Sequence, residues 1–243
     1  MQKVLVNFIQ DRSGSMGTVW AETLSGFAAF VENLKAKGVK DGVEYLFSLT
    51  TFDTLIETPY VAKPIAEVSK DELSQYGPRG ATALYDAVGK TIEATAADAK
   101  GADKIICVIV TDGQENSSRE WSKDALNAVI AAKLALGNWT FTYLGTQPET
   151  WDDAQALGIA VGATAGYQGR MAQSAYAAVS HAVHTLAASS DRQSKNLFAS
   201  RHASAARMRA AGMTIQPETT PVPADPASPT PDRPPSTPTR RWR

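Results

Sequence analysis

Apolar positions along the chain alternate between two spacings. Val4 to Ile9 is a short run rich in β-branched residues, and it reads as a strand buried on both faces. After a polar turn, Leu24, Phe27, Val31 and Leu34 recur at helical spacing, and Gly38 is expected to stop that helix. Val43, Tyr45, Phe47 and Leu49 then alternate toward Asp53, with Leu55 to Val61 as a returning hairpin partner. The pattern next predicts a helix from Leu84 to about Asp98, a strand from Ile105 to Thr111 and a helix from about Lys123 to Leu136. A strand over Trp139 to Leu144, a short helix near Thr150 to Leu157 and a brief strand over Ile159 to Val161 follow. Ala175, Val179, Ala182, Val183 and Leu186 give the segment from Ala172 to about Leu186 one apolar helical face, so it is expected to pack back as the last helix. Strands alternating with helices in this way predict an α/β fold, a mostly parallel sheet covered on both faces. The continuous apolar run Ile105 to Val110 is what such a sheet requires.

Beyond residue 190 the pattern fades. Residues 191–215 are alanine-rich, with Arg201, Arg207 and Arg209 along a helical or frayed extension. Nine of the chain's 13 prolines lie between Pro217 and Arg243 among Thr, Ser and Ala with no apolar period, so residues 216–243 are expected to be a disordered tail. Residues 1–190 form the expected domain.

Composition narrows the setting. A chain of 243 residues with 43% hydrophobic content can bury one good core. Twenty-four basic residues against 25 acidic ones leave a formal charge of -1, so no global field favours nucleic acid or an anionic membrane. The start, Met1 to Ile9, is too short an apolar run for a signal peptide, and no stretch approaches the ~20 apolar residues of a membrane span. A cytoplasmic protein is expected. The single cysteine, Cys107, sits inside an apolar strand and reads as a small buried hydrophobe. The patterns at Asn116 and Asn138 that match glycosylation acceptors carry no weight in that compartment.

The candidate chemistry begins where the first strand ends. Asp11-Arg12-Ser13-Gly14-Ser15 lies in the first strand-to-helix turn. A hard cation such as Mg²⁺ wants about six oxygen ligands at ~2.1 Å, and alternate residues of a tight turn can aim a carboxylate and two hydroxyls at one point. Thr82, at a loop-to-helix boundary, offers a hydroxyl that is a helix cap or a ligand, and Asp112 ends the most hydrophobic strand. With a strand order of 3-2-1-4-5-6, the strands ending at Asp11 and Asp112 are neighbours at the point where the order reverses, the usual ligand crevice of doubly wound sheets. Read singly, Asp11 is equally a carboxylate drawn to a helix N-terminus, and Ser13 and Ser15 are caps. Asp53, Asp86 and Glu115 lie near the expected crevice and read as surface or turn residues.

Asp11, Ser13 and Ser15, then Thr82, then Asp112 resemble the three-part metal-ion-dependent adhesion site of von Willebrand factor A domains, in order and context. Arg79-Gly80-Ala81-Thr82-Ala83-Leu84 and Thr111-Asp112-Gly113-Gln114-Glu115-Asn116 are similar to the same segments of short bacterial and phage members, although Ala81 stands where many carry glycine. The resemblance covers roughly residues 1 to 190. It implies a doubly wound, Rossmann-like, mostly parallel sheet of order 3-2-1-4-5-6 with one antiparallel edge strand. It also implies that Ser13, Ser15 and Thr82 coordinate Mg²⁺ (or Mn²⁺) through hydroxyls, with Asp11 and Asp112 binding directly or through water. The remaining position then takes water or an Asp or Glu carboxylate of a partner protein, which makes the chain a binding module and not an enzyme.

Three other readings compete. Ser13-Gly14-Ser15-Met16-Gly17 superficially matches the G-x-S-x-G nucleophile elbow, with Ser15 as nucleophile and Asp112 and His181 or His184 in the expected order, but serine occupies the first glycine position. His181 and His184 also fall on a predicted helix, where exposed positions are expected. Asp11 as a phosphoaspartate nucleophile would want a second acid where Ser13 stands. A scaffold of the same fold without metal is the third, and neither a P-loop nor a G-x-G-x-x-G turn is present.

Overall fold

The computed structural model describes residues 1–145, 154–159, 164–166 and 172–188. Six strands form one sheet: β1 (Gln2–Asp11), β2 (Val43–Phe52), β3 (Ile56–Pro64), β4 (Lys104–Thr111), β5 (Trp139–Gly145) and β6 (Thr164–Gly166), in the order β3-β2-β1-β4-β5-β6. Only β3 runs antiparallel, paired with β2; every other pairing is parallel. Among the described residues four longer helices flank it: α1 (Trp20–Asp41), α2 (Leu84–Ala97), α3 (Lys123–Ala135) and α4 (Ala172–Ala188). The expected doubly wound architecture and strand order are those observed.

Alternation along the strands divides the core. Val4, Val6 and Phe8 of β1 face α1 and α4, whereas Leu5 and Ile9 face α2 and α3. Phe8 is the hub of the first layer, its ring centroid 5.3 Å from Phe27, 5.0 Å from Phe30 and 5.9 Å from Phe47. Gly26 lets α1 and α4 meet, since a Cβ there would lie 2.3 Å from the Tyr176 ring. Lys104 Nζ donates to the Leu186 and Ala187 carbonyls and so holds the end of α4 against β4.

Two boundaries differ from the sequence expectation. The first helix runs through Gly38 and ends at Gly42, whose φ of +65° is the left-handed cap glycine adopts at low cost. Gly38 is a packing glycine instead: a Cβ there would meet the Val43 carbonyl at 3.1 Å and the Tyr45 ring at 3.2 Å. The last described strand lies at Thr164–Gly166, where none was expected; of the strand expected over Ile159 to Val161 only Ile159 is described, and it is buried in the α2 and α3 layer. Of the short helix expected near Thr150 to Leu157, the described part is one helical turn over 154–156. The expectations for residues 189–243 lie outside the described residues. Among the described residues no helix is long and apolar enough to cross a membrane.

Candidate metal centre

β1 and β4 are adjacent, and their carboxyl ends carry Asp11 and Asp112 to the place where the chain order reverses. Asp11 is fully buried. Its Oδ1 accepts from the Ser13 backbone N–H at 2.6 Å and its Oδ2 from the Thr111 hydroxyl at 2.5 Å. The first bond folds the turn after β1 back on itself, so Ser13 and Ser15 point to one side with their hydroxyls 3.1 Å apart. The Ser15 hydroxyl then donates to Asp112 Oδ1 at 2.8 Å. Three backbone bonds stitch this turn to its neighbours: Gly14 N to the Gly80 carbonyl at 3.1 Å, Arg79 N to the Arg12 carbonyl at 2.8 Å and Arg12 N to the Phe52 carbonyl at 2.7 Å. Gly80, with φ of +67°, supplies the left-handed bend the second loop needs.

Thr82 is placed by the loop that follows β4. Its backbone N–H donates to Asn116 Oδ1 at 2.8 Å, and its carbonyl accepts from Asn116 N at 3.0 Å and Ser117 N at 3.2 Å. Among the described residues its hydroxyl has no hydrogen-bond partner. A Cβ built on Gly113 would stand 3.2 Å from Ser15 Oγ, 3.2 Å from Thr82 Oγ1 and 3.7 Å from Ser13 Oγ. Three hydroxyls from two loops thus surround one small space that glycine leaves open, beside the Asp112 carboxylate and above Asp11.

Electrostatics at this point are lopsided. Burial, aided by the neighbouring Asp112 charge, pushes the Asp11 carboxyl up to about 6 against the lowering effect of its Thr111 and Ser13 hydrogen bonds. Burial also raises Asp112, opposed by its bond from Ser15. Among the described residues no basic side chain pairs with either carboxylate. Arg12, next to Asp11 in the turn, is committed elsewhere: its guanidinium lies 3.1 Å from Asp53 and 2.6 Å from Glu57. The donor set therefore fits a hard divalent cation, being all oxygen with two carboxylates and three hydroxyls. The set contains no nitrogen or sulfur ligand and only two carboxylates, and among the described residues no group of three or more His, Cys, Asp or Glu is placed to hold a metal.

Residues outside the motif took roles the sequence did not reveal. Asp53 has the turn role that was one of the two expected of it, but is buried and not on the surface. It accepts from Leu55 N at 2.7 Å and pairs with Arg79 at 2.8 Å as well as with Arg12, tying the hairpin tip to both loops of the site. Asp86 is buried as well and accepts from the backbone N–H groups of Arg119, Glu120 and Trp121 at 2.8 to 3.0 Å. Glu115 keeps the turn role expected of it, accepting from Ser117 N, Ser118 N and Tyr85 N. His184, expected to be exposed, is half-buried at the far end of the sheet, its Nε2 2.7 Å from Asp41 and its Nδ1 3.0 Å from the Tyr45 hydroxyl. His181 is exposed beside Lys37. Neither histidine is near Ser15, so the elbow reading loses its base. Cys107 is buried and its thiol is pushed up to about 12.

The fold is that of von Willebrand factor A domains. It matches the pilus adhesin SpaC of Lactobacillus rhamnosus GG with a TM-score of 0.60 at 12% identity, over 76% of this chain and 31% of that one. A von Willebrand factor type A protein from Catenulispora acidiphila gives 0.55 at 16% identity, over 75% and 43%. The manganese-loaded TRAP protein of Plasmodium vivax gives 0.51 at 16% identity, over 72% and 74%. The chain spans less than half the length of the first solved structures it matches. No family model and no curated protein matches the sequence.

Proposed function

We propose that this von Willebrand factor A-like chain is a divalent-cation-dependent protein-binding module of the cytosol. Asp11, Ser13, Ser15, Thr82 and Asp112 would hold one Mg²⁺ or Mn²⁺, and an Asp or Glu side chain of a partner protein completes the site. The observation that carries this reading is the convergence of three hydroxyls on the space over Gly113, next to two buried carboxylates with no cationic partner among the described residues. The manganese in the Plasmodium vivax TRAP structure supports the same assignment on the same fold.

When bound, the cation supplies a positive charge open to an external anion. The chain's own residues set how that charge is presented. Asp11 and Asp112 balance it, while the neutral hydroxyls of Ser13, Ser15 and Thr82 hold position without adding negative charge, which leaves an appetite for one more carboxylate. Arg79 and the loops after β1 and β4 form the rim on which a partner would rest. The two described histidines lie against Lys37 and Asp41, away from the site, so neither serves it as a base.

The test is a titration followed by a capture. Mn²⁺ should bind the purified chain with a Kd on the order of 10⁻⁴ to 10⁻³ M, the weak range of sites with few carboxylates and an open position. Immobilised chain should then retain a partner from lysate in Mg²⁺ and release it in chelator, and Ser13→Ala should abolish retention. Retention that survives excess chelator, or an esterase or phosphatase activity lost in Ser15→Ala, would overturn the assignment.

A further inference from the structure

A second concave surface, separate from the metal centre, lies between α2, the β2–β3 hairpin and residues 117–120. It is a groove of about 720 Å³. Its floor is the sheet face that elsewhere carries Leu5, Ile9, Leu46 and Phe52. In the middle of that face the register sets Asn7 beside Ser48 and Ile9 beside Thr50, so a polar belt interrupts strands that a covered parallel sheet normally keeps apolar. α2 answers with hydroxyls of its own. Asn7 Nδ2 donates to Thr95 Oγ1 at 3.0 Å, the Thr91 hydroxyl, which donates to the Ala87 carbonyl at 2.8 Å, lies 3.3 Å from Thr50 Oγ1, and the Thr50 and Thr58 hydroxyls lie 3.2 Å apart.

That network does not close. Asn7 Oδ1 and Ser117 Oγ are buried without a hydrogen-bond partner among the described residues, and both residues line the groove. Buried polar atoms left in this state are costly, and the described residues hold others away from the groove, the hydroxyls of Thr23, Thr51 and Thr142 among them. Formal charge does not explain the belt. Asp86 is saturated by three backbone amides, Lys90 pairs with Glu120 at 2.7 Å and Glu57 with Arg12 at 2.6 Å, while Arg119 is an exposed rim residue. The floor itself is neutral.

We propose that this groove binds a neutral, polyhydroxylated small molecule of mono- or disaccharide size. A hydroxyl both donates and accepts, so a ligand bearing several of them matches a floor of serine and threonine hydroxyls and one amide, while the charges of Glu57, Lys90 and Glu120 on the rim are already paired and Arg119 is the rim charge an anion would meet. Leu55 and Val61, both exposed large apolar residues on the hairpin, stand at the rim against which the C–H face of such a ring would lie. The volume falls in the range of small-molecule sites.

Two-dimensional ¹⁵N–¹H spectra of the full chain, titrated with maltose, chitobiose and myo-inositol to about 20 mM, reach affinities as weak as millimolar. Glucose 6-phosphate and spermidine serve as charged probes. At least one neutral probe should shift the amides of Ser48, Thr50, Thr58, Thr91 and Thr95, equally with Mg²⁺ or with chelator. Ala94→Trp, which plugs the groove from an exposed position of α2, should weaken that probe at least tenfold, and Thr50→Val by roughly fivefold through one lost hydrogen bond. The inference is overturned if no neutral probe shifts these amides, if a charged probe binds more tightly than all neutral ones, or if the shifts survive Ala94→Trp. Because the readout does not depend on the cation, its failure leaves the metal-site proposal standing, and loss of metal binding in Asp11→Asn leaves this one untouched.

Discussion

A carboxylate sealed from water with no positive charge beside it is a stored electrostatic cost, and Asp11 is such a group. Its folded pKa, about 6, is above the ordinary 3.8, so the folded chain binds more protons than the unfolded chain between those values. In chelator, therefore, Asp11 contributes a destabilisation that is absent below about pH 4, grows as pH rises and is complete above about pH 6, on the order of 2–3 kcal/mol. Asp11→Asn should remove it. Asparagine still accepts from Ser13 N, while the Thr111 hydroxyl can turn to the Gly113 carbonyl, 3.2 Å away. The variant should melt higher than the parent at pH 7.5 in chelator, the gain should shrink at pH 4.5, and Mn²⁺ binding should be lost. Calorimetric melts at both pH values check the sign; a variant that melts lower than the parent at pH 7.5 would refute it. Gly113→Ala probes the same site from its other side. The new methyl fits with shifts of a few tenths of an ångström but occupies the space the three hydroxyls share, so Mn²⁺ affinity should fall at least about tenfold with the melting temperature nearly unchanged. Equal Mn²⁺ binding in parent and variant would remove the convergence of hydroxyls as an argument.

At the scale of elements, the site depends on how loops are fastened to helices. Asp86, in the first turn of α2, takes three N–H groups from residues 119–121 and so fixes the loop between β4 and α3 that positions Asn116, and through it Thr82. Asp86→Ala would leave those donors unpaired at about 1–3 kcal/mol for each one that stays buried. Its expected signature is lower stability together with weaker Mn²⁺ binding, whereas Asp86→Asn, which retains an acceptor oxygen, should lose less of both. Comparison of the two variants by thermal melts and Mn²⁺ titration decides the matter. The physical origin of this clasp also explains what the sequence made legible. Strands and helices could be read because Val4 to Ile9 and Ile105 to Val110 are apolar throughout and α1 repeats Phe27, Val31 and Leu34 on one face; those signals are local. The five candidate ligands could be read because they sit in three short motifs at element ends. Asp53 and Asp86 could not, since their partners come from loops 26 and 33 to 35 residues away and only the tertiary fold brings them together. Gly38 misled for a related reason: its smallness serves the Tyr45 ring, not a turn. The three-residue β6 carries too little pattern to be placed within a few positions of its true register.

For the molecule as a whole, the described residues of both core layers end at Ala187, and the helix that carries it is held at its end by Lys104. A chain ending after Ala188 should therefore keep the melting temperature of the full-length chain to within about 2 °C, a shift corresponding to less than roughly 1 kcal/mol at this size. Its Mn²⁺ affinity should be unaltered. A drop of 5 °C or more would mean that residues 189–243 contribute to the core, and thermal melts of the two chains in parallel decide it.

The position of β1 at the centre of the sheet has a consequence in time. Its Asp11 meets Thr111 across a sequence separation of 100 residues. On the ribosome, where synthesis runs at about 5–20 residues per second, the first strand emerges roughly 5–20 s before its β4 neighbour exists. During that interval β1 can pair only with β2, which leaves one hydrogen-bonding edge and much of one apolar face uncovered, a situation in which chaperone capture competes with folding. The proposed cation-binding constellation cannot assemble until that wait ends. On a nascent chain, acquisition of Mn²⁺ affinity would consequently report closure of the central sheet, and arrest of translation before residue 112 leaves exit-tunnel length aside and still yields a chain that holds no ion.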